Sequence, residues 1–317
     1  MKRLLACLLL WAPMPSWAAS DAFPLDDAVP GGVAVVALPD SVVAPRAELA
    51  GQRMMVVRHG DHWYALVGLS LDTAPGDKTL DVAARGASMT QLGFSVMPKE
   101  YPVQSLTISN PEMVNPTPAQ LKRIDREQRH LEKVMATWRE TSHPGLSFIW
   151  PVAGPETSAF GLHRVLNGEP HSPHSGIDIG APSGTPLKAP ADARVADIGN
   201  YYYCGKTLTL DMGQGLYSVY CHLSKIKVDL GQKVKQGQLV GKIGATGRTT
   251  GPNLHWTVRL NGTPVDPHVF LGNNAPTPPP TTPPKPTTLA TPTAATQPVP
   301  KATSTAVPAA ATHGPRR

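Results

Sequence analysis

Across residues 152–270 no helical period can be found: apolar residues come in short runs, broken every few positions by glycine, proline or asparagine. Leu187-Lys188-Ala189-Pro190, Arg194-Val195-Ala196-Asp197 and the runs 207–210, 217–220, 239–243 and 254–260 are examples. Runs of this length with such boundaries read as strands. The pattern predicts an antiparallel β-domain.

Two places inside it carry chemistry. His174-Ser175-Gly176-Ile177-Asp178 sets a histidine and a carboxylate four residues apart, and Asn253-Leu254-His255 sets a second histidine on a strand. Four-apart ligands usually sit on a helix, but Gly176, the β-branched Ile177 and Ile179, and Pro182 oppose one here. On a straight strand the pair would stand ~13 Å apart at Cα, barely bridgeable by metal–ligand bonds of ~2 Å. The chain must therefore bend or bulge near Gly176, the residue there that tolerates positive φ. Asn253 and His255, two apart on a strand, share a face, so Asn253 points into whatever cavity His255 lines. Two imidazoles and one carboxylate are a common protein ligand set for a catalytic zinc, because they leave a fourth position open.

With Tyr220-Cys221-His222-Leu223 between them, these motifs resemble the active site of the LytM/lysostaphin-type zinc endopeptidases, which cut peptide bonds in bacterial cell wall. The resemblance covers about residues 150–270 and includes Phe160-Gly161, Ala181-Pro182-Ser183-Gly184-Thr185-Pro186 and the glycine-rich run 237–247. It implies a mainly β chain whose antiparallel peptidase domain binds Zn2+ through His174, Asp178 and His255. His222 matches the family's non-ligand histidine, suited to hydrogen bonding or proton transfer. The implied function is hydrolysis of peptidoglycan cross-links, with stem peptides as substrate. The alternative is a weak or inactive relative that binds wall peptides or activates a cell-wall amidase, with that amidase or a divisome protein as partner.

Asn253 departs from the resemblance. Family members usually carry a histidine there, often assigned as general base; a neutral amide can orient or donate but cannot take a proton at neutral pH. His163, His171 and His268 lie near the motifs and could replace it, although surface or loop polarity explains them more simply. Val234-Lys235-Gln236-Gly237-Gln238 echoes the lipoyl carrier fold, but the short motif around a modified lysine is missing.

The remainder organises around this domain. Lys2 and Arg3, an apolar run to about residue 14 and small residues at Ser16, Ala18 and Ala19 predict a signal peptide over 1–19, hence a periplasmic or cell-envelope location. Residues 24–110 read as a small β-rich domain, with runs at 33–38, 54–58, 63–68, 92–96 and 103–108 and a tight turn at His59-Gly60-Asp61-His62. Turn chemistry explains that histidine cluster better than a metal does. A linking helix follows over 117–140: Thr117-Pro118-Ala119-Gln120 is a capping box, and Leu121, Ile124, Leu131, Met135 and Trp138 form a packing stripe. The zinc endopeptidase domain spans 150–272, and a Pro/Thr/Ala-rich tail over 273–317 cannot bury enough apolar surface to order itself.

Charge excludes one class of partner. Of the formal net charge of +6, two units sit on Lys2 and Arg3 and four on the tail, leaving the folded part neutral. That removes the case for nucleic-acid binding. No run is long enough to span a membrane as a helix. Cys204 and Cys221 flank a hairpin; a loop over residues 211–214 pairs Leu210 with Gly215 and sets the cysteines opposite one another, whereas a loop one residue longer puts them on opposite faces.

Overall fold

Alternation of apolar and polar residues sets the first strands. The computed structural model describes residues 23–84 and 88–272, so the expected signal peptide and the tail lie outside the described residues. The N-terminal strands are β1 (Val33–Ala37), β2 (Arg46–Leu49), β3 (Gln52–Arg53), β4 (Met55–His59), β5 (His62–Gly68), β6 (Gly76–Ala83) and β7 (Thr90–Val96). They make two antiparallel sheets, ordered β1-β5-β4 and β3-β2-β6-β7. The turn at Gly60-Asp61 closes β4 onto β5 with His59 opposite His62. His59 stacks on Phe23, and the exposed His62 lies beside the Asp40 carboxylate, so each ring has a partner other than a metal.

The first sheet is covered on both faces. Ala34, Val36, Ala65 and Val67 pack with Leu80, Val82 and Val96 of the second sheet. Val33, Met55, Val57 and Leu66 join Leu216, Val258 and Leu260 in the main core. At Gly68 a Cβ would stand 2.6 Å from the Leu260 carbonyl oxygen, so only glycine lets the two backbones come together there.

β8 (Val103–Leu106) was the run expected to close the N-terminal domain, yet it joins neither of these sheets. After it, α1 (Pro118–Met135) starts on the capping box, with Gln120 N donating to Thr117 Oγ1 and Thr117 N to Gln120 Oε1. Leu131 and Met135 pack on Tyr217, Val219 and Cys221. Two residues of the expected stripe differ: Leu121 is largely exposed, and Trp138 lies beyond the helix end. The chain then forms β9 (Glu156–Ser158), β10 (His163–Leu166) and β11 (Glu169–Pro170). β8 runs parallel to β10 in a three-stranded sheet, order β11-β10-β8.

The large sheet uses β12 (Ile177–Gly180), β13 (Pro186–Lys188), β14 (Ala193–Tyr201), β15 (Gly205–Gly213), β16 (Leu216–Ile226) and β17 (Lys233–Val234). It continues with β18 (Leu239–Ile243), β19 (Asn253–Leu260) and β20 (Thr263–Val265), and α2 (His268–Leu271) closes it. Its main order is β17-β14-β15-β16-β19-β12-β9, with the β13–β18 pair and β20 attached at the side. The β15–β16 register corrects the sequence expectation: Leu210 pairs with Ser218, not Gly215, because the turn is the two residues Gln214-Gly215. Cys204 and Cys221 are nonetheless joined, with Cα atoms 4.7 Å apart. Gly205, at φ +62°, turns the chain at the first residue of β15, and the Cys204 carbonyl accepts from His222 N at 2.7 Å. No described helix is long and apolar enough to cross a membrane.

Candidate metal centre

Asp178 stands directly opposite His255 across the β12–β19 ladder. Opposed residues share a face of the sheet, ~5 Å apart at Cβ, so carboxylate and ring meet without help from a loop. His174 comes from the irregular segment before β12. Two backbone hydrogen bonds pin it: its N donates to the Leu162 carbonyl at 2.9 Å, and its own carbonyl accepts from Gly161 N at 2.8 Å.

The expected bend lies ahead of β12, but positive φ at Gly176 is not its cause. Gly176 is not among the positive-φ residues; its backbone passes so close to Trp256 that a Cβ would collide with the Trp256 carbonyl oxygen. Gly176→Ala is therefore expected to cost ~1–3 kcal/mol, as overpacking does, and to weaken metal binding by prising β12 from β19. Urea unfolding with a parallel zinc titration checks both, and unchanged values in the two would contradict the packing account.

Three donor atoms converge. His174 Nε2 and His255 Nδ1 are 3.0 Å apart, and Asp178 Oδ1 lies 2.8 Å from His255 Nδ1 and 3.2 Å from His174 Nε2. The far nitrogens set the tautomers. His174 Nδ1 donates to the Ala159 carbonyl at 2.7 Å and His255 Nε2 to Thr257 Oγ1 at 3.0 Å, which leaves the inward nitrogens with lone pairs. Three lone-pair atoms this close repel one another unless a cation lies among them. A tetrahedral zinc with bonds of ~2.0–2.1 Å has edges of ~3.3–3.4 Å, so the cluster needs to open by only a few tenths of an ångström. Zinc fits this set by donor type and by spacing, and the three residues form the one such group among those described.

Electrostatics agree. Burial alone would raise the Asp178 carboxyl; without a metal, a proton on either neighbouring imidazole outweighs that and holds it well below the usual carboxylate range, and a bound cation takes that proton's place. Its other oxygen, Oδ2, accepts from Arg164 Nη2 at 2.6 Å. Burial depresses His174, which keeps the ring neutral and able to bind a cation. His222 is depressed to about 4, first by burial and then by His255.

His222 reaches this face through a bulge. Tyr220 and Leu223 both point into the main core, so one extra residue lies between them, and the ladder register shifts there. His222 takes φ +65°, and its ring centroid lies 6.2 Å from that of His255. Its Nδ1 donates to the Thr246 carbonyl at 2.7 Å, so Nε2 keeps its lone pair. Asn253 shares the β19 face with His255, and the Thr249 hydroxyl lies 3.0 Å from its Oδ1. His222, Asn253, Asp178 and His255 all line one cavity, with Arg164 and Arg248.

That cavity measures about 60 Å³, and Leu106 and Ile108 wall it beside Leu166. It has room for only a few water molecules and is far below the ~300 Å³ of an ordinary ligand cleft. None of the other three histidines lines it. His163 is exposed on β10, and His171 has its Nε2 buried without a partner. Hydrogen bonds to Asp266 and Glu156 push His268 up to about 10, so it is a cation and no base. Arg164 and Arg248 escape sequence reading, because nothing local marks an arginine fourteen residues from Asp178 as its partner.

Comparison with known proteins follows the same lines. Residues 172–267 match peptidase family M23, and residues 26–99 match the peptidase family M23 N-terminal domain. The peptidoglycan DD-endopeptidase ShyA of Vibrio cholerae is 42% identical over 95 residues, 30% of this chain and 22% of that protein. The DD-carboxypeptidase/endopeptidase Mpg of Neisseria meningitidis is 40% identical over 94 residues, again 30% of this chain and 22% of the relative. The chain thus spans about a fifth of the length of these curated relatives. A solved peptidase M23 structure from Pseudomonas aeruginosa is 42% identical, covers 77% of this chain and 95% of that one, and has a TM-score of 0.66.

Proposed function

The chain belongs to peptidase family M23, and on that premise we propose that it is a zinc-dependent endopeptidase that hydrolyses peptide cross-links of bacterial peptidoglycan in the periplasm or cell envelope. The observation that carries this is the convergence of His174, Asp178 and His255 on one point beside His222. The peptidase unit is taken as residues 150–272, after a β-rich domain over 24–110 and a linking helix over 117–140.

In this reading His174, Asp178 and His255 hold the zinc. When bound, zinc supplies Lewis-acid polarisation of the scissile carbonyl and makes water a better nucleophile near neutral pH. The protein's own groups do the rest. The Nε2 lone pair of His222 accepts a proton and returns it to the leaving amine. The Asn253 carboxamide orients by hydrogen bonding. The walls of Leu106, Ile108 and Leu166 limit water, and a peptide must displace the β8 segment to enter the 60 Å³ space.

Arg164 belongs to this machinery as a positioning residue. By holding Asp178 Oδ2 it leaves Oδ1 alone turned to the cluster. Removing the partner behind a ligand costs ~10–100-fold in metal affinity. Arg164→Met is expected to weaken zinc binding by about that factor in competition with a chelator, with Arg164→Lys falling between. Equal affinity in all three proteins would show that the contact is incidental.

A second reading is favoured by Asn253 and by the narrow cavity: a weak or inactive relative that binds wall peptides or activates a cell-wall amidase. Incubating the zinc-loaded protein with purified peptidoglycan, followed by mass spectrometry of released muropeptides, separates the two. Cross-link cleavage that a chelator abolishes supports the first; intact cross-links support the second.

A further inference from the structure

Two guanidinium groups reach the cavity, and one of them has no carboxylate. Arg164 is paired with Asp178. Arg248, on the loop between β18 and β19, lies with its Cζ 4.1 Å from the Tyr203 ring centroid and donates from Nη1 to the Met113 carbonyl at 3.2 Å. Among the described residues no acid pairs with it. Among the described residues its Nε and Nη2 find no hydrogen-bond partner, yet unlike Nε of Arg164 and of Arg259 they are not sealed from solvent. Burial works against its charge, and so does Arg164 nearby. The other residues around it on this wall, Thr249, Thr250 and Asn253, are neutral.

A half-buried cation beside a cluster built for a second cation calls for an anion. The guanidinium is already held over the Tyr203 ring and by the Met113 carbonyl, so little further order is lost when a ligand binds. Its fork of parallel N–H groups matches the two oxygens of a carboxylate, and the Met113 carbonyl satisfies only one donor. Met113 lies on the stretch that follows β8, the segment a peptide must displace. Its carbonyl oxygen thus occupies the place that a substrate's acceptor takes once that segment gives way. A carboxylate is the anion that a peptide substrate offers.

We propose that Arg248 is a specificity residue that binds a carboxylate on the amino acid flanking the scissile bond. The proposal rests on the peptidase reading for the word scissile, and on the geometry of Arg248 for the rest. It narrows the substrate class to acidic cross-links, in which the residue beside the cut carries a free carboxylate and not an amide.

The test uses the full zinc-loaded chain and two uncleavable peptides with a hydroxyethylene group at the scissile position. They differ only in a carboxylate or a carboxamide on the flanking residue. The unmodified protein is expected to bind the carboxylate form tenfold or more tighter, as hydrogen bonds to a charged group allow. Arg248→Gln should bring the two affinities together, and Arg248→Lys, a point charge without the fork, should keep part of the preference. Equal binding by the unmodified protein, or a preference untouched by Arg248→Gln, overturns the proposal. With the matching cleavable pair, Arg248→Gln should raise KM for the acidic peptide and leave kcat near its original value. Loss of kcat on both peptides alike would place the guanidinium at the reacting carbonyl, which also overturns it. If neither peptide is cut while the binding preference holds, the peptidase reading fails and the carboxylate site stands as part of a wall-peptide binding surface.

Discussion

Substituting His255 by alanine is expected to reduce bound zinc from about one ion per chain to none. His255 supplies one of three donors and is also the cross-strand neighbour of Asp178, so its loss removes a donor and the contact that Oδ1 makes at 2.8 Å. Two of three donors then remain, and the deficit must exceed the ~10–100-fold that follows when only a supporting hydrogen bond is lost. His174→Ala and Asp178→Ala should do the same. His222→Ala is the control, because its Nδ1 is turned to Thr246 and its ring is not in the cluster. Elemental analysis after dialysis against micromolar zinc reads the outcome. Full occupancy in His255→Ala would refute the ligand assignment, whatever happened to activity.

The parts of this centre that a sequence can show are the parts that are local. Asn253-Leu254-His255 is a two-residue spacing on a strand, and strand geometry alone puts both side chains on one face. His174 and Asp178 are four apart, and the need for a bend between them follows from distance. What the bend is made of does not follow. Gly176 is required by the Trp256 carbonyl, some eighty residues away, and no local conformational preference reveals such a contact.

Register is the other hidden quantity. The ladder that sets Asp178 against His255, the bulge that brings His222 to the same face and the two-residue turn of β15–β16 all depend on pairings between distant runs. A shift of one residue in any of them turns every side chain over. β8 shows the limit most clearly: its run reads as a strand, but only the fold shows that it leaves the N-terminal sheets and walls the cavity beside the His174, Asp178 and His255 cluster. β6 is missed for a simpler reason. Its polar Asp77, Lys78, Thr79 and Asp81 outnumber the buried Leu80 and Val82, so charge masks the alternation.

In the proposed peptidase reading, His222 and Asn253 together decide whether the centre turns over. With His222 removed, turnover should fall by ~10²–10⁴-fold, the usual worth of a group that moves a proton in the transition state, with zinc content unchanged. Asn253 is the more revealing position. It shares the β19 face with His255 at a Cα spacing of ~7 Å, within reach of a reacting group but not of the metal. Asn253→Ala should lower turnover, since the polar contact goes with nothing to replace it. Asn253→His should leave zinc affinity nearly as it was and add a second base. A base works only when deprotonated, so the added imidazole should make the rate rise with pH through a value near ~6.5, its ordinary pKa. The pH–rate profile of that variant is therefore expected to gain a limb on the acid side. If Asn253→Ala keeps full activity, the carboxamide has no part in the chemistry. If the unmodified protein is silent and Asn253→His cleaves, then one histidine separates a wall-peptide binder from a peptidase on this fold, and the non-enzymatic reading is the correct one for this chain.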